Sequence, residues 1–333
     1  MGKLTQLSKL IKGIFLFLVL TSIAIFLAQS NLTAIKKELS SVGYHFIVIL
    51  FTTFAAYSFG TLAWWICLGA AKKKVNLIEL FAIRQIGETV GLFNPTSIIG
   101  GDLLKADLTT RYNIPLKEGL NSVAISRITA VLSQLTLFLI AICWLILSPL
   151  KNDVISYAGP LVYIICILLL LVMILIFYWL IVTKNPSENK ASTATVLGKA
   201  KAQVLSLLLT VKDFYRNQNK TFWYSYLLFV LHWTVGSLEF YYILKFLGTN
   251  VQPIHGLILD MSVIVLKSIG AFIPGQLGIE EIANKLLLSM VGITGTSIWL
   301  SVSLLRRSRQ LIWVAIGFIF YLFIKKKPAH VFI

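Results

Sequence analysis

Two acid–arginine combinations stand in this sequence at places where charge is costly. Asp102 is followed by Arg127 and Glu281 by Arg306, each arginine 25 positions after the acid and near the start of an apolar run. Seven positions before each acid stands a proline, Pro95 or Pro274, and glycines fill the interval: Gly100 and Gly101 in one case, Gly275 and Gly278 in the other. An ionised side chain at the centre of a bilayer costs at least about 3 kcal/mol, so it is normally paired or wet. Asp102 with Arg127 and Glu281 with Arg306 are the natural pairs. Proline lacks an amide donor and clashes with the preceding turn, so a helix stops near Pro95 and near Pro274. The glycines permit a tight reversal and close backbone approach. The acids then fall near the start of a returning helix, whose free amides and positive dipole end can hold an anionic head group or be capped by the carboxylate. Arginine suits phosphate because its planar fork donates two bonds.

Other charges widen the polar region. Arg84 and Glu88 are spaced i, i+4 and share a helix face, and Lys105 and Asp107 flank the returning arm. Glu239, Asp260, Lys267, Glu280, Arg307 and Arg309 also fall in or beside apolar runs. Each alone reads more readily as a structural partner or a snorkelling side chain, but together they exceed what a passive anchor needs. The candidate substrate-binding set is Arg84, Glu88, Pro95, Gly100, Gly101, Asp102, Lys105, Arg127, Pro274, Gly275, Gly278, Glu280, Glu281, Arg306 and Arg309. Cys67, Cys143 and Cys166 have no metal spacing, and His45, His232, His255 and His330 form no HExxH motif. With no nucleophile motif and no nucleotide-binding loop, neither a cofactor nor enzymatic chemistry is expected. Paired carboxylates can do acid–base work when their pKa values separate, which keeps a head-group-modifying role as the alternative.

The elements that must position these residues follow from composition. Of 333 residues, 57% are hydrophobic and 13% charged, with a net charge of +17 and a mean hydropathy of +0.84. A soluble domain carries nearer a quarter charged residues, so a soluble enzyme or a nucleic-acid-binding domain is excluded. The positive charge suits loops facing an anionic membrane surface. Six runs can span a bilayer: 10–28, 44–70, 119–147, 160–183, 222–247 and 296–324. Residues 10–28 read as an uncleaved first span rather than a signal peptide, because further spans follow.

Lysine and arginine in the loops set the orientation. Lys3, Lys9 and Lys12, Lys72 to Lys74, seven basic residues from Lys184 to Lys220, and Lys325 to Lys327 mark one side, against Lys36, Lys37 and Lys151 on the other. Both termini are expected in the cytoplasm, with the protein in the cell inner membrane. Residues 77–111 must then leave and return on the cytoplasmic side, and residues 257–292 on the outer side. Both read as re-entrant hairpins, whose polar backbone survives at membrane depth only inside protein or beside a wet cavity. Between the halves, Val196, Ala200, Val204, Leu207, Leu208, Val211 and Tyr215 fall at helical spacing among lysines. That pattern is a basic amphipathic helix, lying in the interface or on the protein's own cytoplasmic face.

Adding 179 to Gly91, Pro95, Asp102 and Arg127 gives Gly270, Pro274, Glu281 and Arg306. A constant offset between halves of opposite orientation is a recurrent transporter plan. The expected fold is therefore an all-α polytopic membrane protein with six full spans plus two oppositely oriented re-entrant hairpins, an inverted repeat within one integral membrane domain, 1–333. Its first half is 1–183, its cytoplasmic amphipathic linker 184–220 and its second half 221–333.

Pro95 with Gly100-Gly101-Asp102 and then Ser126-Arg127 resembles the first signature of the lysylphosphatidylglycerol synthase transmembrane region, also called the flippase-like domain family. Pro274-Gly275-Gln276-Leu277-Gly278-Ile279-Glu280-Glu281, then Leu305-Arg306, resembles the second, with Gln276 where the usual form has glycine. By that match Glu281, rather than Glu280, takes the signature acidic place. Full-length members join a membrane flippase domain to a soluble transferase that attaches lysine to phosphatidylglycerol. This chain runs only six residues beyond Lys327, so the resemblance implies the stand-alone membrane module. It implies a lipid flippase or transporter moving a phospholipid or isoprenoid-type lipid between leaflets, its partner a membrane lipid with an anionic or phosphate head group. It leaves room for a separate transferase, and no nucleic acid is expected. The lipid itself does not carry over, because stand-alone members are associated with other lipids, including hopanoids.

Overall fold

The computed structural model describes residues 33, 40, 42–93, 98–148, 161–181, 209–269 and 278–325. The expected span 10–28, the turn residues Pro95, Pro274 and Gly275, and most of the amphipathic linker lie outside the described residues.

The described chain is helical, without strands. Its long helices are α1 (Phe46–Cys67), α2 (Leu77–Phe93), α3 (Ile98–Thr109), α4 (Leu116–Leu147), α5 (Leu161–Ile181), α6 (Asn219–Phe246), α7 (Pro253–Ile269), α8 (Ile279–Met290) and α9 (Thr296–Lys325). Among the described residues five stretches are long and apolar enough to cross a membrane: Gly43–Cys67, Leu116–Leu147, Tyr163–Ile181, Asn219–Phe246 and Ile298–Ile324. They coincide with five of the six runs expected from hydropathy.

The helix lengths follow a pattern. α1, α2, α3 and α4 have 22, 17, 12 and 32 residues. α6, α7, α8 and α9 have 28, 17, 12 and 30. A 12-residue helix is about 18 Å long, short of the roughly 30 Å hydrocarbon core. The second short pair begins at Pro253, four residues before the expected hairpin boundary.

The two helices of each short pair pack against each other. In the first, α2 and α3 touch through glycines, and a Cβ added at Gly101 would lie 2.4 Å from the Gly87 carbonyl oxygen. After α3, Asn113 takes a left-handed φ of 57° and Pro115 an extended ψ of 139°. Asparagine tolerates that conformation, and the two residues turn the chain into α4.

The long helices pack through small and hydroxyl side chains, as membrane helices do. α1 makes its most extensive contact with α6. Ser225 on α6 donates to the Ala63 carbonyl at 3.2 Å and bonds Thr129 on α4 at 2.9 Å. α7 begins tightly against α6, where a Cβ at Gly256 would sit 2.8 Å from the Ser237 carbonyl. One apolar cluster gathers Ile49, Phe240, Ile243, Leu259, Val302 and Leu305, and another gathers Trp64, Leu80, Ile83, Ala106 and Val123. α5 is different: most of its apolar side chains are exposed, the surface expected of a helix facing lipid. At the described end of the linker, Val211 and Phe214 pack with Met173, Leu180 and Phe222, so this part rests on the protein itself.

Candidate functional site

A cavity of about 430 Å³ lies among these helices. Side chains from α1, α2, α3, α4, α6, α7 and α9 line it, so both short hairpins contribute.

The first hairpin places Glu88 on α2 and Asp102 and Lys105 on α3. Lys105 Nζ lies 2.6 Å from Glu88 Oε1 and 3.1 Å from Asp102 Oδ1, clamping the two arms together. Arg127, from α4, donates from Nε to Asp102 Oδ2 at 3.0 Å and from Nη2 to Oδ1 at 2.8 Å. This two-pronged contact joins the hairpin to the next long helix. Gly100 and Gly101 lie in the first turn of α3, and Gly101 makes the close approach to α2.

Arg84 and Glu88 share a face of α2 but form no ion pair with each other. Glu88 turns instead to Lys105. The Arg84 guanidinium lies over the Tyr57 ring, 5.2 Å from its centroid, and its Nη1 is buried without a hydrogen-bond partner.

The second hairpin is clamped in the same manner with the charges exchanged: Lys267 on α7 bonds Glu280 on α8 at 2.9 Å. Arg306 on α9 is buried among three acids, with Glu280 at 2.8 Å, Asp260 at 3.2 Å and Glu239 at 3.8 Å. It also stacks over the Phe240 ring at 4.0 Å. Arg309 Nε is 2.9 Å from Glu239 Oε1, an approach off the hydrogen-bonding axis, since both atoms lack a hydrogen-bond partner. Arg309 Nη1 donates to the Tyr57 hydroxyl at 3.1 Å.

The expected Glu281–Arg306 pair does not form. Glu281 accepts from the Gly278 amide at 2.9 Å, at the start of α8, and pairs with Arg307. Glu280, one residue earlier, takes the inner place beside Arg306. The reason is helical phase. Counting from proline makes Glu281 the equivalent of Asp102. But Asp102 is the fifth residue of α3, whereas Glu281 is the third of α8 and still serves its open end. One residue along a helix is a rotation of about 100°, enough to exchange an inward acid for a capping one. Gly278 holds a φ of +81°, which glycine adopts without strain.

The cavity and its edge therefore hold six cations, Arg84, Lys105, Arg127, Lys267, Arg306 and Arg309, and five carboxylates, Glu88, Asp102, Glu239, Asp260 and Glu280. Every one of these acids lies within 4 Å of a cation other than Arg84. Glu239, Asp260 and Lys267 carry as much of this network as the motif residues, and their signal in the sequence is a charge inside an apolar run. Tyr57 and His232 gave no such signal. His232 is buried, lines the cavity and holds the Ala56 carbonyl through Nδ1 at 2.6 Å. Among the described residues no group of three His, Cys, Asp or Glu side chains is placed to hold a metal ion.

A family model, the Lysylphosphatidylglycerol synthase TM region, matches residues 10–317. No curated protein and no solved structure matches the chain.

Proposed function

Because the chain belongs to the lysylphosphatidylglycerol synthase TM region family, we propose that it is a lipid flippase or transporter, moving a phospholipid or isoprenoid-type lipid between membrane leaflets. The family and the five apolar helices make it a multi-pass membrane protein. The observation that carries the reading is the 430 Å³ cavity, lined by ion-paired charges from both short hairpins in the midst of membrane-crossing helices. A head group can exchange bonds with such a network while its acyl chains stay in lipid. In this reading the protein has six spans with both termini in the cytoplasm, in the inner membrane of the cell. The hairpins are re-entrant from opposite faces, and the repeated order of helix lengths supports an inverted repeat. Each hairpin closes one entrance.

The family description favours one second reading, a membrane component of lipid head-group modification acting as enzyme or partner of a separate transferase. The two separate in the test tube. Purified protein in detergent, with no second leaflet present, makes a modified lipid only under the second reading. Under the first, chemical labelling of outer-leaflet lipids differs between cells with and without the gene while total lipid composition stays the same. Equal labelling in both strains contradicts transport.

A further inference from the structure

Resting on the transporter reading, we propose that Arg84 anchors a phosphodiester monoanion in the cavity, and that the accepted head group completes its polar contacts with hydroxyls rather than with an amine. The charge balance carries the first part. The five acids of the cavity are each committed to one of five cations, and Arg84 alone among the six has no carboxylate of the described residues within ion-pair distance. Arg84 is 9% exposed, lines the cavity, and keeps Nη1 without a hydrogen-bond partner. The face of Tyr57 lies against it, and Glu88 attracts it from beyond ion-pair distance while committed to Lys105. Gly60 makes room for it, because a Cβ there would lie 3.0 Å from Arg84 Nη2.

A buried cation with no partner is costly, and its planar fork fits two phosphate oxygens. One negative charge brings the cavity to neutrality. The second part follows from what is left over. An ammonium would enter a space whose acids are already matched, so it would add an unpaired charge. Gln85, next to Arg84, leaves its Oε1 buried and without a donor. A hydroxyl satisfies that atom and adds no charge.

The test uses the purified full chain in detergent, with binding read by native mass spectrometry. The probes are phosphatidylglycerol, phosphatidylinositol, phosphatidylethanolamine and soluble glycerol phosphate. Wild type is expected to bind the two polyol lipids about tenfold or more tightly than phosphatidylethanolamine, the value of one charge-assisted contact. Arg84→Gln is expected to abolish that preference. Arg84→Lys, which keeps the charge and loses the fork, should keep the preference at several-fold lower affinity. Equal binding of all three lipids by wild type, or an undiminished preference in Arg84→Gln, overturns the proposal. So does Arg84→Lys with wild-type affinity. Glycerol phosphate binding as tightly as the lipids overturns the lipid assignment in favour of a free phosphoester. Because detergent micelles have no leaflets, a failure of transport in vesicles contradicts the transporter reading and leaves this result standing.

Discussion

Replacing Arg306 with glutamine removes the shared counter-ion of the second hairpin. Arg306 is 4% exposed and meets Glu280, Asp260 and Glu239 at 2.8, 3.2 and 3.8 Å. Glutamine keeps a polar tip but no charge. Glu280 retains Lys267 and Glu239 retains Arg309, while Asp260 keeps no ion-pair partner among the described residues. Removing one member of a buried pair costs about 3–5 kcal/mol, because the other charge stays buried. The unfolding equilibrium should therefore shift by roughly 10²- to several 10³-fold. Arg127 provides the contrast. Its side chain is 37% exposed, and Asp102 keeps Lys105 at 3.1 Å. For Arg127→Gln solvent screening reduces the expected cost to about 1 kcal/mol. Arg306→Lys should fall between, since one ammonium cannot reach three acids from two sides. The assay is unfolding in mixed micelles of rising dodecyl sulfate fraction, followed by circular dichroism. The reasoning is refuted if Arg306→Gln unfolds at the same fraction as Arg127→Gln.

Further substitutions probe the packing and the start of α8. A methyl at Gly101 would stand 2.4 Å from the Gly87 carbonyl, so in the same unfolding assay Gly101→Ala should lose about 1–3 kcal/mol. Gly236→Ala, whose Cβ would meet only Ala56 at 3.6 Å, should gain up to about 1 kcal/mol from helix propensity; equal effects at the two sites would contradict the packing. Glu281→Ala removes the bond to the Gly278 amide, a cap worth about 1 kcal/mol, together with the partly exposed contact to Arg307, and should cost less than Glu280→Ala. Cys143 and Cys166 bring their sulfurs within 3.9 Å across α4 and α5. A mild thiol oxidant should join them in one chain, seen by mass spectrometry as the loss of two hydrogens; failure to cross-link would place α5 elsewhere.

The residues differ in how far they were legible in the sequence. The long helices are set by runs of apolar side chains, a signal each segment carries alone. The Asp102–Arg127 contact was readable because both partners sit in one hairpin-and-helix unit at a spacing of 25 residues. The choice between Glu280 and Glu281 was not, since it depends on where α8 begins, and a one-residue difference turns one acid inward and the other to the helix end. Glu239 and Asp260 reach Arg306 from α6 and α7, distant in sequence. No local pattern records such convergence. Arg84 looked like half of an i, i+4 pair with Glu88, a rule that holds for isolated helices. Here Lys105 from the opposite arm outcompetes it at 2.6 Å.

The most direct test of the account is leaflet exchange in vesicles reconstituted with the full chain. A fluorescent phospholipid is placed in both leaflets, and the inner pool is followed as it becomes open to an external quencher. Wild type should bring the inner pool outward faster than empty vesicles. Asp102→Asn and Arg127→Ala, each confirmed folded by circular dichroism, should slow it toward the empty-vesicle rate. Exchange at the wild-type rate in both variants would contradict the claim that these charges carry the head group.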